Sequence, residues 1–334
     1  MTCSRRSPAP LSRLIALARC AACPLLLSLL SAGCATTGIE SARNLATAGR
    51  EVTEQSEGCL FLSQADFLKA RDAEAFIHGY AGTSTPSRLL ADMQAIEREL
   101  AARREVFVRL DEAYAALYGL ASQEASEGFE KTVARFGDAV NAYASVRNKA
   151  LVLASPDKDA FAALVARAGA RLQKRSAREA CRLIRQKLEA FSQLLDDPAV
   201  REQLAGTRKN LSASRTSAIE LLWEKRLLDP TPLISELAAD AGLKAGKDAL
   251  KILDDPNNEA VREGLGSVLS DRLGRRLDLA ERSYDACLGA VRELIAQHEN
   301  VEAGKAFSQT RLRLLTSELQ LAAGQLSQKA ADKP

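Results

Sequence analysis

Residues 87–122 read SRLLADMQAIERELAARREVFVRLDEAYAALYGLAS. Leu89, Met93, Ile96, Leu100, Arg103, Phe107, Leu110, Tyr114, Leu117 and Ala121 follow one another in alternating steps of four and three. That is a heptad seam with one charged member, Arg103. A helix across the whole stretch would be about 54 Å long at 1.5 Å per residue. Such a length suits an elongated bundle or coiled coil better than a compact globule.

The same spacing recurs downstream. Phe129, Val133, Phe136, Val140 and Tyr143 predict a helix over about 127–154, and the short connection at 122–126, flanked by Gly119 and Gly128, favours an antiparallel hairpin. A third helix is predicted over 159–195. It carries one seam at Phe161, Val165, Ala168 and Leu172 and another at Ile184, Leu188, Phe191 and Leu195, with a packing shift where the heptad phase is lost. Further helices are predicted after Pro198, over 232–253, and over 259–329 with a weak point near 298–304. The breaks carry recognisable chemistry. Gly82-Thr83-Ser84-Thr85-Pro86 and Ser155-Pro156-Asp157 are turns. Asp197-Pro198, Asp229-Pro230 and Asp255-Pro256 each place a capping carboxylate before a proline that can open a helix. No stretch alternates with period two over a useful length. The expected fold is therefore all-α, an elongated antiparallel helical bundle with long coiled-coil-like helices.

Composition agrees. Aromatics are only 4% of the 334 residues while the apolar fraction is 46%, so the core must be built from alanine and leucine, as in long helices.

The amino end reads differently. Arg5, Arg6, Arg13 and Arg19 precede an apolar run over 21–30, and small residues lead to Cys34. A basic segment, a short apolar segment and a small-residue exit make a secretory leader. The run falls short of the roughly 20 residues that span a bilayer as a helix. Its exit, Leu30-Ser31-Ala32-Gly33-Cys34, resembles the lipobox of bacterial lipoproteins, and departs from it at Ser31, where a larger aliphatic is usual. The resemblance covers the leader alone. It implies a diacylglyceryl group on the Cys34 sulfur, cleavage before Cys34, and anchoring to a membrane by two or three acyl chains, each buried methylene contributing about 0.8 kcal/mol. Ala35, where an aspartate would retain an enterobacterial lipoprotein in the inner membrane, implies an outer-membrane site facing the periplasm. The plainer alternative is an ordinary cleaved leader with a cysteine at its exit. The expected organisation is a signal peptide over 1–33, a lipidated stem over 34–38, a helical bundle over 39–328 that could divide into 39–154 and 155–328, and a frayed tail over 329–334.

Removing the leader changes the charge balance. It holds four arginines and no acid, so 46 bases fall to 42 against 43 acids, and the net charge becomes −1. A nucleic-acid partner, which needs clustered excess positive charge, is not expected.

Chemistry-bearing constellations are scarce. Two histidines, His78 and His298, exclude a multi-histidine metal centre. His78, near a helix end, reads as a partly buried structural residue, and His298, within Gln297-His298-Glu299-Asn300, as part of a solvated face. The acid pairs Asp196/Asp197 and Asp254/Asp255 read as caps rather than as general acid and base. Gly242 and Gly246 mark either a close crossing or a soft spot. There is no phosphate-cradling glycine loop and no nucleophile elbow. No catalytic residue, metal or cofactor is expected, and the chain does not read as an enzyme. Three cysteines remain outside the leader and the anchor: Cys59, Cys181 and Cys287. One disulfide among them could form, in any of three pairings. Trp223, the only tryptophan, within Leu221-Leu222-Trp223-Glu224-Lys225-Arg226, is either a contact residue for a partner or a core residue.

The expected function is that of a lipid-anchored envelope lipoprotein whose bundle serves as a structural or protein-interaction module. The heptads suit oligomerisation as well as intramolecular packing. The second reading is an envelope carrier of a lipid or other apolar ligand, or a membrane-perturbing helical protein, with the amphipathic segment 233–253 as its moving part.

Overall fold

A computed structural model of the chain describes residues 11–122, 128–149, 153, 170–244, 246 and 255–327, and among these there are helices and turns but no strand. The protein is all-α. Its helices are α1 (Leu11–Tyr80), α2 (Ser87–Ser122), α3 (Phe129–Val146), α4 (Ala170–Leu195), α5 (Pro198–Glu224), α6 (Thr231–Asp240), α7 (Glu259–Glu302) and α8 (Thr310–Ser327), with a 3₁₀ turn at Pro256–Asn258. The turn predicted at 155–157, the seam from Phe161 to Ala168, and the tail over 329–334 lie outside the described residues.

The seam of α2 organises the bundle. Nine of its ten positions, from Met93 to Ala121, are buried, and Leu89 is half-buried. Phe129, Val133, Phe136, Val140 and Tyr143 of α3 are buried with them. Phe107 meets the Phe191 ring of α4 edge-on, with ring centres 5.2 Å apart. Edge-on packing suits the ring quadrupoles and adds to the burial term.

Polar pairs record the directions of the helices. Across α1 and α2, Arg50 faces Asp111 and Arg104 faces Glu57, so one number falls as the other rises. Across α2 and α3, Arg103 faces Tyr143 and Arg147 faces Glu99. The two helices are thus an antiparallel hairpin. Arg185 of α4 grips Glu302 of α7 through Nε at 2.7 Å and Nη2 at 3.0 Å, and Tyr284, one end further on, donates to the Leu195 carbonyl. The α7–α8 pair turns back after Glu302, within the predicted weak point. Pairs exposed at the surface are worth about 0–1 kcal/mol each, so the apolar seams rather than the ion pairs carry the stability.

Helix ends follow the chemistry of the breaks. The Asp197 carboxylate accepts from the Ala199 N–H at 3.0 Å, Asp229 from Thr231 at 2.8 Å, and Asp255 from Asn257 at 2.9 Å. Asp197 is the N-cap of α5, Asp229 holds the N–H of the first residue of α6 from one position before its cap, and Asp255 caps the 3₁₀ turn ahead of α7. The helix predicted over 232–253 is shorter than expected and stops at Asp240. Gly242 adopts φ 71°, its N–H bonds the Ala239 carbonyl, and the Leu243 N–H bonds the Ala238 carbonyl. That is a Schellman stop, which needs a left-handed residue that glycine supplies without strain. Nothing lies within 4 Å of a Cβ placed at Gly242, so its role is the stop and not a close crossing.

The largest apolar cluster draws on α1, α2, α3, α4, α7 and α8 together. The core therefore does not divide at residue 154. Two smaller clusters flank it. One joins Phe67 and Ala70 of α1 to Met93, Ile96 and Leu100 of α2. The other joins Trp223 of α5, Leu233 of α6 and Leu265 of α7.

Candidate functional site

Trp223 sits where α5 passes α7 in antiparallel fashion. The residue is 9% exposed, and its side chain packs with Leu233 and Leu265. The core reading of this tryptophan is the one the packing supports, because a docking aromatic would have to present its ring. The Arg262 guanidinium lies 5.1 Å from the ring centre and donates through Nη2 to the Trp223 carbonyl. Arg262 is itself 6% exposed, so the cation–π contact is largely desolvated and stronger than a surface one.

One edge of the indole faces a cleft of about 670 Å³. This volume falls in the range of small-molecule sites. Trp223 Nε1 is buried and has no hydrogen-bond partner among the described residues. A buried indole N–H ordinarily finds an acceptor. Arg226, Arg262 and glutamates of α5 and α7 line the cleft together with Ile219, Leu269 and two serines of α7. Arg226 takes φ 58° at the end of α5, where its N–H bonds the Trp223 carbonyl and the Leu227 N–H bonds the Leu222 carbonyl. This is the Schellman geometry again, built without glycine. The cleft is bordered by an arginine stacked on the indole and by charged side chains of both helices. Among the described residues no cluster of histidine, cysteine and acidic side chains could hold a metal.

Two further polar groups lie in the main core. Arg103, 1% exposed, donates through Nη2 to Glu99 at 2.8 Å and to the Tyr143 hydroxyl at 3.1 Å. Arg147 donates to the other Glu99 oxygen at 2.8 Å. Burial disfavours the Arg103 charge, but the oxygens of Tyr143, Tyr284 and Glu99 outweigh it and raise its pKa further. The single charged member of the seam is therefore paired within the core.

His298 is not on a solvated face. It is fully buried, its Nε2 is 3.0 Å from the Tyr114 hydroxyl, and the two rings stack. Burial, reinforced by the nearby Arg185 charge, holds its imidazole down at about 3, so it is neutral near pH 7. Val291, Leu294, His298 and Val301 continue the seam of α7 in steps of three and four, and this places the ring inward. His78 behaves as expected. It is half-buried near the end of α1, its Nδ1 is 3.0 Å from the Thr83 hydroxyl, and its Nε2 is 3.4 Å from Glu74.

Cys59, Cys181 and Cys287 are buried and stand as free thiols in this structure. Cys34 falls within α1, which runs unbroken through the residues read from sequence as a stem. Its side chain lies outside the described ones. Among the described residues no helix is long and apolar enough to cross a membrane. No protein-family model, curated protein or solved structure matches this chain.

Proposed function

We propose that the protein is a lipid-anchored component of the bacterial cell envelope whose helical body works by binding a protein partner, not by catalysis. The reading rests on Leu30-Ser31-Ala32-Gly33-Cys34 placed behind a basic, apolar leader. Acylation at Cys34 would fix the mature amino end at a membrane, and Ala35 favours the outer one. The body suits this role. A helix that starts at the anchor and ends at Tyr80 extends about 70 Å at 1.5 Å per residue, and it shares a buried face with α2 for much of that length. An anchored rod of this kind presents long helix faces at a distance from the bilayer, which is how helical modules engage partners.

The test is direct. The Cys34→Ser chain, expressed with a labelled fatty acid, should carry no label and should keep its leader, while the wild type loses the leader and takes up label. Continued labelling of the variant would refute the anchor.

The second reading, carriage of a lipid or other apolar ligand, draws what support it has from the cleft beside Trp223, where Ile219 and Leu269 join the indole. Organic extraction of the purified protein distinguishes the two readings. Stoichiometric lipid in the extract favours carriage, and a protein crosslinked to the helical body in intact cells favours docking.

A further inference from the structure

A void of about 10 Å³ lies where α1, α2 and α7 meet. Its walls differ from the apolar core around it. Ser56 and Cys59 reach it from α1, Arg103 from α2, and Ser283, Tyr284 and Cys287 from α7. Two antiparallel-packed elements thus each bring a serine and, one turn later, a cysteine to one small space. Cys181 is on α4, is fully buried, and does not line this void. Nε and Nη1 of Arg103 are buried without hydrogen-bond partners among the described residues, and the Ser56 hydroxyl is turned to Cys287.

We propose that Cys59 and Cys287 are a disulfide pair that joins α1 to α7 when the chain folds in the presence of a small disulfide oxidant, and that Cys181 remains a thiol. Both thiols line this space, which holds no more than about one water, and Cys287 is close enough to act on the ionisation of Cys59, whose Sγ donates to the Leu319 carbonyl of α8 at 3.4 Å. Arg103 supplies positive charge beside Cys287. Burial raises the Cys287 thiol to about 11, with the Ser56 hydroxyl and Arg103 opposing the rise, whereas burial and the neighbouring Cys287 push Cys59 to about 12. One of the two thiolates attacks one sulfur of oxidised glutathione and releases one glutathione thiolate. The thiolate of the other cysteine then attacks the protein sulfur of the mixed disulfide and releases the second. Two electrons pass to the oxidant, and the two thiol protons end on two molecules of glutathione. The bond tethers the anchor-bearing helix to a helix more than two hundred residues away. The pairing rests on the packing alone and holds whether or not Cys34 is acylated.

The full chain, refolded with oxidised glutathione, alkylated and digested with trypsin without reduction, reads the result. Cys59, Cys181 and Cys287 fall in separate peptides, 51–69, 179–182 and 283–292. The expected product is 51–69 linked to 283–292, with Cys181 alkylated. The Cys181→Ser chain should give the same link, and the Cys287→Ser chain should give alkylated Cys59. Alkylation of both Cys59 and Cys287 in the wild type, or a link from either to Cys181, overturns the proposal.

Discussion

His298 is the residue whose environment has the clearest consequence in solution. Tyr114 faces it from α2, and Cys181 and Arg185 face it from α4. Burial is the main reason its folded pKa lies near 3, against 6.5 for the free side chain. The unfolded chain therefore takes up a proton below about pH 6.5 that the native chain refuses. Stability from this group is complete above pH 6.5 and is lost as pH falls towards 3, by roughly 1 kcal/mol per pH unit. Carboxylates titrate in the same window, so the comparison must be with a variant. In His298→Gln, which keeps a polar partner for Tyr114 but has no proton to gain, the denaturation midpoint should fall less steeply between pH 6.5 and pH 4. Parallel curves for the two proteins would show that His298 is not buried as a neutral ring. Arg103 is the opposite case at the same scale. The heptad steps mark it as the charged member of the seam, and its partner Glu99 is one turn away on α2, but Tyr143, and Arg147 which shares Glu99, lie forty residues or more away at the end of α3, and only the fold brings them together.

Between elements, close approach is decided by single glycines. Gly49 lies where α1 crosses α2, and a Cβ there would come within 2.5 Å of the Tyr114 ring. The ring cannot withdraw, because His298 stacks on it. Gly49→Ala gains about 1 kcal/mol of helix propensity. Forcing a methyl into a packed aromatic costs about 1–3 kcal/mol. The clash wins, so the variant should be less stable by chemical denaturation. Gly58 lies in the same helix with nothing within 4 Å of its would-be Cβ. Gly58→Ala should be more stable by up to about 1 kcal/mol. Equal effects at the two sites would contradict the α1–α2 crossing. What was legible in the sequence follows the same division. The α2 and α3 seams, the Asp-Pro caps and the α7–α8 break are local patterns, and they stand where the spacing puts them. At Gly242 the sequence offers a soft spot but not a stop, because a glycine in a helical pattern does not announce a left-handed φ. The burial of His298 was misread because its polar neighbours in sequence outweighed a seam that in fact continues through Val291, Leu294 and Val301. The sequence named the three cysteines, but which of them share a void depends on how α1 meets α7, a property of the assembled bundle.

Among the described residues the molecule has one large core and two small ones, and this distribution has a measurable consequence. The main cluster is built by six helices and includes most of the fully buried side chains. The cluster around Trp223 has three buried apolar members, and Leu227 and Leu243 beside it are more than two-thirds exposed. At about 25 cal/mol per Å² of apolar surface, so few buried side chains stabilise that end much less than the centre. Regions with few buried contacts open at lower free energy than the global transition. Trp223 is the only tryptophan, so its fluorescence reports this end alone, whereas circular dichroism reports helices throughout the chain. On titration with urea, the red shift of tryptophan emission should come at a lower concentration than the loss of helical signal. The cleft beside Trp223 would then open and close while the main core stays folded, which is the behaviour needed of a surface that admits a ligand or partner. If the two transitions coincide, the satellite cluster unfolds only with the rest, and the Trp223 end is part of one cooperative body.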